Sequence, residues 1–405
     1  MDHLGTEALS YPLSSHAALE PPAEWDRLRR ECPVAHVKFP SGDSAALLTR
    51  YDDVRQVLSD PRFTRALDAP DAARISASDS GGIFNSAMSN VLSQTGDAHL
   101  RWRRLLTRWF TVKRMNELRD RIEAMADSLL DDMIAKGSPA DLKANFGFPL
   151  PVWVICTMLG VPEADRNRFA EWSDMILNLD RFGQDEVGAA MMDFWGYITG
   201  HIDAKRAAPG EDILSELIVA TGADGEPMSN EVLAATGMGL LIAGHETTAN
   251  MIGKMVAMLL ADRRQWERLL DEPALVRSAV EETLRMDANS GLGMVRYLPV
   301  EAEVAGATLP KGTTVLCSMA AANRDGDQFA HADELDLRRS PNTHLSFGAG
   351  AHSCLGQALA RTELQVVLEV LLRRLPTLDL AVEPGDLVKL EGLVVGGLTE
   401  VPVRW

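Results

Sequence analysis

The sequence predicts a mainly α-helical protein with a small β-rich region. From about residue 97 to residue 290, apolar residues recur with the spacing of helices. Short segments with strand-like character lie at 34–50 and 292–320. An irregular segment from about 321 to 353 then leads directly into another helix, and the chain ends in a pattern of strands and turns.

The elements follow from local patterns in chain order. Residues 34–50 read as short strands joined by a Pro-Ser-Gly-Asp turn. Segments 115–135 and 230–261 have helical periodicity, and 230–261 is apolar on most faces and rich in small residues, which predicts a buried helix. Residues 292–320 read as strands with a Pro-Lys-Gly turn, and 355–375 as a strong helix.

Composition limits the possible partners and compartments. The chain has 405 residues, 46% of them hydrophobic, and a formal net charge of -18. Such an acidic protein repels nucleic acid and anionic membranes, so neither is an expected partner. The first residues lack a charged start followed by an apolar stretch, and no apolar run approaches the length of a membrane helix. We therefore expect a cytoplasmic protein.

Four cysteines are present, and no two have CxxC spacing, so a zinc knuckle or a thioredoxin-type pair is not favoured. Cys32, Cys156 and Cys317 need only be packing residues. Cys354 differs because it ends the long irregular segment just before a helix, and structureless segments of that length are usually functional.

The segment around Cys354 suits an anionic sulfur. Glycines at 348, 350 and 356 permit tight turns and the close approach of a flat ligand. The free N–H groups at the start of the following helix favour a thiolate, and Phe347 could shield the sulfur from water. Taken alone, the same segment is equally compatible with a buried structural cysteine in a glycine-rich turn.

The segment resembles the cysteine-loop signature of cytochromes P450, Phe-x-x-Gly-x-x-x-Cys-x-Gly, at Phe347, Gly350, Cys354 and Gly356. The resemblance implies that Cys354 is the axial ligand of haem b and that His352 contacts a haem propionate. It also implies one triangular domain over residues 1–405, with haem between the long central helix and the cysteine loop. This expectation overrides the two or three domains that length alone suggests, and leaves the first 20 or so residues as an irregular arm.

A second matching segment, Ala243-Gly244-His245-Glu246-Thr247-Thr248, lies in the predicted buried helix. A Gly there costs the helix about 1 kcal/mol relative to Ala, and a Thr hydroxyl competes for main-chain carbonyls, which together favour a small groove. A carboxylate beside a hydroxyl can pass protons inward. The resemblance implies that Glu246 and Thr247 are the catalytic acid–alcohol pair, with Ala243 and Gly244 against the cofactor. We expect His245 to be a packing residue.

Two further sets of residues match the family in order along the chain. Glu282 and Arg285 share a helix face at i and i+3 and resemble its structural Glu-x-x-Arg element. His99 and Arg103 share a face at i and i+4, which suits a pair of carboxylates. The resemblance assigns these two, together with Arg296, to the haem propionates.

The chain departs from the family after Arg285, where prolines are usual and none is present. Gly291 and Gly293 instead suggest an altered path, and Asn289 and Ser290 would add polar groups near the substrate. The residues that the resemblance implies for the substrate pocket are Asn85, Met88, Leu240, Ala243, Asn289, Ser290, Leu292, Val394 and Val395.

The expected function is a bacterial-type monooxygenase that activates dioxygen and oxidises a medium-sized natural product. No flavin or iron–sulfur motif is present, so electrons are expected from ferredoxin and its reductase. A basic stretch at 101–114 supplies a candidate docking surface through Arg104, Arg108, Lys113 and Arg114, although a plain solvated helix face explains it equally well. We expect a monomer.

Three alternatives to this function remain open. The same oxidant could catalyse oxidative coupling or ring closure without oxygen insertion, for example on an aromatic cyclic dipeptide. A non-enzymatic haem sensor is another class, although it would not need the Glu246–Thr247 pair. The third is a helical enzyme without haem, in which Cys354 is structural.

Overall fold

Helices make up most of the chain. The structure is a computed structural model and describes residues 8–76, 91–92, 95–177, 181–220, 227–390 and 394–405. Within these residues the α-helices, numbered in chain order, are α1 (Glu24–Glu31), α2 (Tyr51–Ser59), α3 (Gly96–Thr107), α4 (Val112–Lys136), α5 (Pro149–Met158), α6 (Arg166–Leu177), α7 (Gln184–Ala207), α8 (Ile213–Val219), α9 (Asn230–Ala261), α10 (Arg263–Asp271), α11 (Val276–Met286), α12 (Met319–Ala322) and α13 (Gln357–Arg374). The mainly helical class predicted from the sequence is confirmed.

The strands form a small β-rich side. They are β1 (Leu9–Ser10), β2 (Val34–Lys38), β3 (Ser44–Leu48), β4 (Ala140–Asp141), β5 (Met294–Leu298), β6 (Ala302–Val304), β7 (Ala307–Leu309), β8 (Thr313–Cys317), β9 (Asp379–Leu380) and β10 (Pro402–Arg404). The largest sheet has the order β1-β2-β3-β8-β5, so strands from both segments predicted from the sequence meet in one sheet. Smaller sheets pair β4-β10-β9 and β6-β7.

The predicted irregular N-terminal arm is partly wrong. Leu9 and Ser10 form β1, which pairs in parallel with β2. The next residue, Tyr11, is buried, and its hydroxyl donates to the carbonyl oxygen of Leu292 at 2.8 Å. The pairing and this hydrogen bond fix the arm to the sheet.

The long helix α9 is the centre of the main hydrophobic core. Its 32 residues begin after Ser229, whose hydroxyl accepts a hydrogen bond from the amide of Val232. Most of its side chains are buried against α5, α7 and α13, as predicted for a helix that is apolar all round. None of the helices in the described ranges is long and apolar enough to cross a membrane.

A buried ion pair holds the irregular segment that precedes the cysteine loop. Glu282 and Arg285 are both fully buried, and Arg285 donates to the carboxylate through Nη2 at 2.8 Å and Nε at 2.9 Å. Its Nη1 donates to the carbonyl oxygens of Asn323 and Ala332, at 2.8 and 2.6 Å. A second cation, Arg339, binds Glu282 at 3.0 Å. The helix α11 thereby fixes a segment that has little regular structure of its own.

Candidate functional site

The cysteine loop is a tight turn that ends at the start of α13. Gly348 and Gly350 have φ of +69° and +70°, a conformation that favours glycine. A Cβ on Gly350 would lie 2.7 Å from the carbonyl oxygen of Leu58, so a side chain there would collide with the end of α2. The amide of Cys354 closes the turn by donating to the carbonyl oxygen of Phe347 at 2.7 Å.

Gly356 does not share this backbone requirement. Its φ is −84°, and no atom lies within 4 Å of the position that a Cβ would occupy. The sequence-based argument that all three glycines permit tight turns therefore holds for two of them. A glycine at position 356 instead leaves open space beside the start of α13.

Burial raises the pKa of the Cys354 thiol, and the amide of Gly356 and the charges of Arg103 and Arg361 oppose that rise without overcoming it. The start of the helix therefore favours the thiolate, as expected, but burial outweighs its effect on the pKa. The side chain is exposed although protein atoms surround the sulfur on most sides, which is typical of a group that lines a cleft. A cation bonded to the sulfur would remove the proton, because a coordinating thiol is deprotonated.

The aromatic ring of Phe347 stacks under a cation beside the loop. The guanidinium carbon of Arg361 lies 4.4 Å from the centroid of the Phe347 ring, and the ring of His344 lies at 5.8 Å. Arg361 also pairs with Glu281 at 2.8 Å. The ring is therefore held in place at the start of the loop by contacts with α13 and with the preceding segment.

The basic residues predicted at the site lie together. The rings of His99 and His352 are 4.3 Å apart between centroids. Arg103 donates to the carbonyl oxygen of Ser353, directly before the cysteine. Arg296 is buried on β5, and burial lowers its pKa to about 10. The structure thus brings together four groups from three segments that are far apart in the chain.

The helix α3, which carries His99 and Arg103, is fastened to the central helix. The indole Nε1 of Trp102 donates to the hydroxyl of Thr236 on α9 at 2.9 Å. The ring of Trp102 also stacks against His99, with 6.0 Å between centroids. This contact fixes the face of α3 that is turned toward the cysteine loop.

Arg65 belongs to the same basic cluster, and sequence reasoning missed it. Its charge lowers the pKa values of His99, His352 and Arg296. A β-bridge between Thr64 and Tyr297 places Arg65 beside β5. No local motif marks this arginine, because the contact joins residues more than two hundred positions apart in the chain.

The cluster fits a dianionic group. Burial is the largest cause of the pKa of His352 falling to about 3, and the charges of Arg65, His99, Arg296 and Arg103 add to it. No acidic group contributes to that shift in the described part of the chain, and the Nδ1 atom of His352 is buried without a hydrogen-bond partner. A ligand with two carboxylates, such as haem, would accept hydrogen bonds from these arginines and neutral histidines while its metal meets the cysteine sulfur.

The central helix presents a short exposed stripe in its otherwise buried middle. Leu240 is half-buried, and Ala243 and Thr247, one and two turns further on, are exposed. The hydroxyl of Thr247 donates to the carbonyl oxygen of Ala243 at 3.0 Å, so its lone pairs are free to accept. Glu246 is half-buried beside this stripe, and one of its carboxylate oxygens accepts from Nδ2 of Asn250 at 2.8 Å.

Packing between two helices, and not the predicted contact with the cofactor, explains why a glycine is present at position 244. A Cβ at this position would lie 2.7 Å from Cγ1 of Ile155 on α5. The glycine therefore lets α5 and α9 approach closely, and α9 continues across it without a break. The predicted groove is not a gap in the helix.

Comparisons with known proteins decide the family. The cytochrome P450 family profile matches residues 197–387. The chain is 39% identical over 400 residues to mycinamicin IV hydroxylase/epoxidase of Micromonospora griseorubida, which covers 98% of this chain and 99% of the relative. The chain belongs to the cytochrome P450 family. It is also 39% identical to nocardicin C N-oxygenase of Nocardia uniformis subsp. tsuyamanensis, over 99% of each chain.

The fold agrees with this assignment. The crystal structure of SgvP, a candidate thioether synthase in the tailoring of griseoviridin, superposes on 99% of this P450 with a TM-score of 0.92 at 36% identity, and all of SgvP is covered. The protein is therefore an oxidoreductase of the monooxygenase class in secondary metabolism, and its family carries haem on a cysteine thiolate. Neither the sensor nor the haem-free alternative fits relatives of this kind.

Two of the residues predicted to line the substrate pocket of this P450 have side chains that are buried in contacts with the protein itself. Asn289 is buried, and its side-chain amide donates to the carbonyl oxygen of Gly397 at 2.8 Å. Leu292 packs in the core of the main sheet with residues such as Val37 and Leu316. The prediction that these two side chains face the substrate is therefore corrected.

The path after Arg285 depends on glycines in place of prolines. A Cβ on Gly291 would lie 2.3 Å from the carbonyl oxygen of Val394, and one on Gly396 would lie 2.2 Å from that of Asn289. The two main chains thus cross in direct contact. Asn85 and Met88 lie outside the described residues, while Ser290, Val394 and Val395 are half-buried near this crossing.

The predicted docking residues of the P450 divide into two kinds. Arg104 and Arg108 are exposed, and no ion pair involves them in the described ranges. Lys113 reaches Glu117 at 4.0 Å. Arg114 lies 3.9 Å over the ring of Trp109 and also pairs with Glu216, at 3.5 Å, so its contribution to a docking surface is reduced.

Proposed function

We propose that this P450 is a monooxygenase that oxidises a medium-sized natural product, using haem b on the thiolate of Cys354 and electrons from a ferredoxin. The observation that carries the proposal is the basic cluster, in which His99 and Arg296 are buried, beside a cysteine whose loop leads into a helix. Arginines that lie together without an acid among the described residues are costly unless an anionic ligand balances their charge. The two carboxylates of haem supply that balance.

The residues of the cluster divide the binding of haem between them. Cys354 would supply the metal ligand, and Phe347, Gly350 and Gly356 shape the loop around it. Hydrogen bonds to the propionates would come from His99, Arg103, Arg296, His352 and Arg65. Arg103 has a second role, because its bond to Ser353 ties the propionate side to the loop.

Bound haem supplies the activation of dioxygen, and the chain supplies the protons and the space. Glu246 delivers a proton toward the hydroxyl of Thr247, whose lone pairs are free because its own proton is donated to Ala243. Ala243 and Gly244 leave the middle of α9 without bulky side chains. Leu240 and Ala243 on the exposed stripe, with Ser290, Val394 and Val395 near the loop crossing, remain our candidates for contact with substrate.

Two relatives support the substrate class. One is named for hydroxylation and epoxidation of mycinamicin IV and the other for N-oxygenation of nocardicin C. Both names describe tailoring of a preformed natural product. We propose a substrate of the same class, with some polar groups.

The electron donor is proposed from the surface charge. The whole protein is acidic, with a net charge of -18, but Arg104 and Arg108 are exposed at the end of α3 that follows Arg103 and form no ion pair within the part of the chain that the structure describes. An acidic ferredoxin would be steered to these two exposed arginines and would reach the side of the molecule that carries the cysteine loop. We propose that the enzyme acts as a monomer in this exchange.

Oxidative coupling or ring closure is the second candidate reaction. The similarity to SgvP favours it, because a thioether synthase forms a carbon–sulfur bond. A screen of natural products by the spin-state shift of the haem band would identify binders. Turnover of a binder under isotopically labelled dioxygen would then separate the reactions: label in the product supports oxygen insertion, and a cyclised product without label supports coupling.

A further inference from the structure

His245 is next to the proposed proton donor Glu246 and is buried completely. Its exposed fraction is 0%, and the ring of Phe148 meets it edge-on with 5.7 Å between centroids. Its Nδ1 lies 2.6 Å from the carbonyl oxygen of Leu241. A carbonyl oxygen only accepts, so Nδ1 carries the ring proton and Nε2 is left as an acceptor. Burial lowers the pKa of His245, although the charge of Glu246 and the Leu241 carbonyl oppose this, so the ring is neutral.

The free nitrogen of this ring faces the carboxylate. Nε2 of His245 is buried and has no hydrogen-bond partner among the described residues, and Oε2 of Glu246 lies 3.9 Å away. A neutral imidazole nitrogen and an ionised carboxylate oxygen both accept, so they cannot bond to each other. The 3.9 Å gap is too long for a hydrogen bond, and one proton placed between the two atoms would satisfy both once the carboxylate turned to close that gap.

Asn250 selects which carboxylate oxygen receives that proton. Its Nδ2 donates to Oε1 of Glu246 at 2.8 Å, which leaves Oε2 on the side of His245. Its own Oδ1 is another buried acceptor without a donor, and the main chain at Gly397 covers it closely. The cluster as a whole therefore holds more acceptors than protons.

Lys143 is the cation that faces Glu246 from outside α9. Burial lowers the pKa of Lys143, and Glu246 is the first of the charges that oppose this. Its Nζ donates to the carbonyl oxygen of Leu398 at 2.7 Å, so the ammonium is held at a fixed position. Lys143 is half-buried, so it has contact with solvent as well as with the charge of Glu246.

We propose that His245 and Glu246 together store one proton, shared between Nε2 and Oε2, and that Asn250 holds the carboxyl group in position for this sharing. The proposal rests on the proposed function and refines its proton path. When Glu246 passes the proton to Thr247, the carboxyl O–H bond breaks and a carboxylate remains. A proton from solvent on the Lys143 side restores the pair, and no oxidant or reductant is needed.

His245 and Asn250 are positioning residues, because neither touches the reacting atoms. The direct test is nitrogen NMR of histidine-labelled holoenzyme in its diamagnetic, reduced, carbon monoxide-bound form. The His245 signal is identified by its loss in His245→Phe. In the wild type, we expect Nε2 to resonate as a nitrogen that shares or binds a proton, and to shift to the position of a free acceptor in Glu246→Ala.

His201 is an internal control in the same spectra. Its ring also approaches a main-chain carbonyl, that of Leu159 at 3.4 Å, but it lies on α7, away from Glu246. Its signal should not move in Glu246→Ala. A wild-type Nε2 signal of His245 that is already at the free-acceptor position, and is unchanged in Glu246→Ala, overturns the proposal.

A second readout uses turnover. In His245→Phe and Asn250→Ala, we expect a several-fold rise in the share of electrons lost to peroxide and a larger solvent isotope effect, whereas His201→Phe should match the wild type. Equal values in all four proteins contradict the proposal. The carbon monoxide spectrum of each sample reports the thiolate separately, so a failure of the proposed function would be seen there, while the nitrogen signal still reports the pair.

Discussion

Removing the buried guanidinium of Arg285 should destabilise the protein strongly. The change Arg285→Leu introduces an apolar side chain of moderate size and removes two bonds to Glu282 and three to the carbonyl oxygens of Asn323, Ala332 and Glu334. Both members of the ion pair are fully buried, so water cannot replace the lost partner. The carboxylate keeps Arg339, whose Nε remains 3.0 Å away.

Breaking a buried ion pair costs roughly 3–5 kcal/mol. The three carbonyl oxygens that lose a donor add to the cost, and the remaining bond between Glu282 and Arg339 reduces it. We therefore expect a loss of about 4 kcal/mol in the free energy of unfolding. Globular proteins have only about 5–15 kcal/mol in total, so the variant should also retain less haem.

Urea unfolding followed by circular dichroism measures the loss, and the ratio of haem to protein absorbance measures retention. Arg338→Leu is the matched control, because Arg338 is in the same segment but forms an exposed pair with Glu272, worth about 0–1 kcal/mol. If Arg285→Leu unfolds within about 1 kcal/mol of Arg338→Leu and binds haem fully, the account of this network is refuted.

Three other predictions follow from the site and the surface. Arg65→Leu should lower haem affinity roughly ten- to hundred-fold, because a hydrogen bond to a charged group contributes about 1.5–3 kcal/mol. The rate of haem transfer to an acceptor protein measures this loss, and an unchanged rate would exclude Arg65 from the site. Gly244→Ala should lower the free energy of unfolding by about 1–3 kcal/mol, because the added methyl group overpacks against Ile155. Adding Ile155→Ala to that variant should recover part of this loss in urea unfolding, and purely additive losses would refute the contact. Arg104→Glu with Arg108→Glu should slow electron transfer from ferredoxin, most at low salt, and rates that do not respond to charge or ionic strength would remove the docking surface.

The parts of the site that sequence predicted are those with a fixed local spacing. Phe347, Gly350 and Cys354 lie in one turn, and His99 and Arg103 on one helix face, so their relative positions follow from local structure. Arg65 escaped prediction because a β-bridge between distant segments brings it to the cluster.

The substrate pocket was predicted less well for a related reason. Whether Asn289 faces the pocket depends on how closely its segment crosses the segment that contains Gly396. The glycine lets the two main chains cross in direct contact. No pattern near residue 289 carries this information. The pKa of Cys354 is a second example, because burial by the folded chain outweighs the local helix start.

The central claim is that the sulfur of Cys354 binds the iron of haem. The reduced carbon monoxide difference spectrum of wild type and Cys354→Ser tests it most directly, with Cys317→Ser as the control, since Cys317 is buried in the sheet. We predict a thiolate-type spectrum in the wild type and in Cys317→Ser, and its loss in Cys354→Ser. A thiolate spectrum that persists in Cys354→Ser would contradict the account.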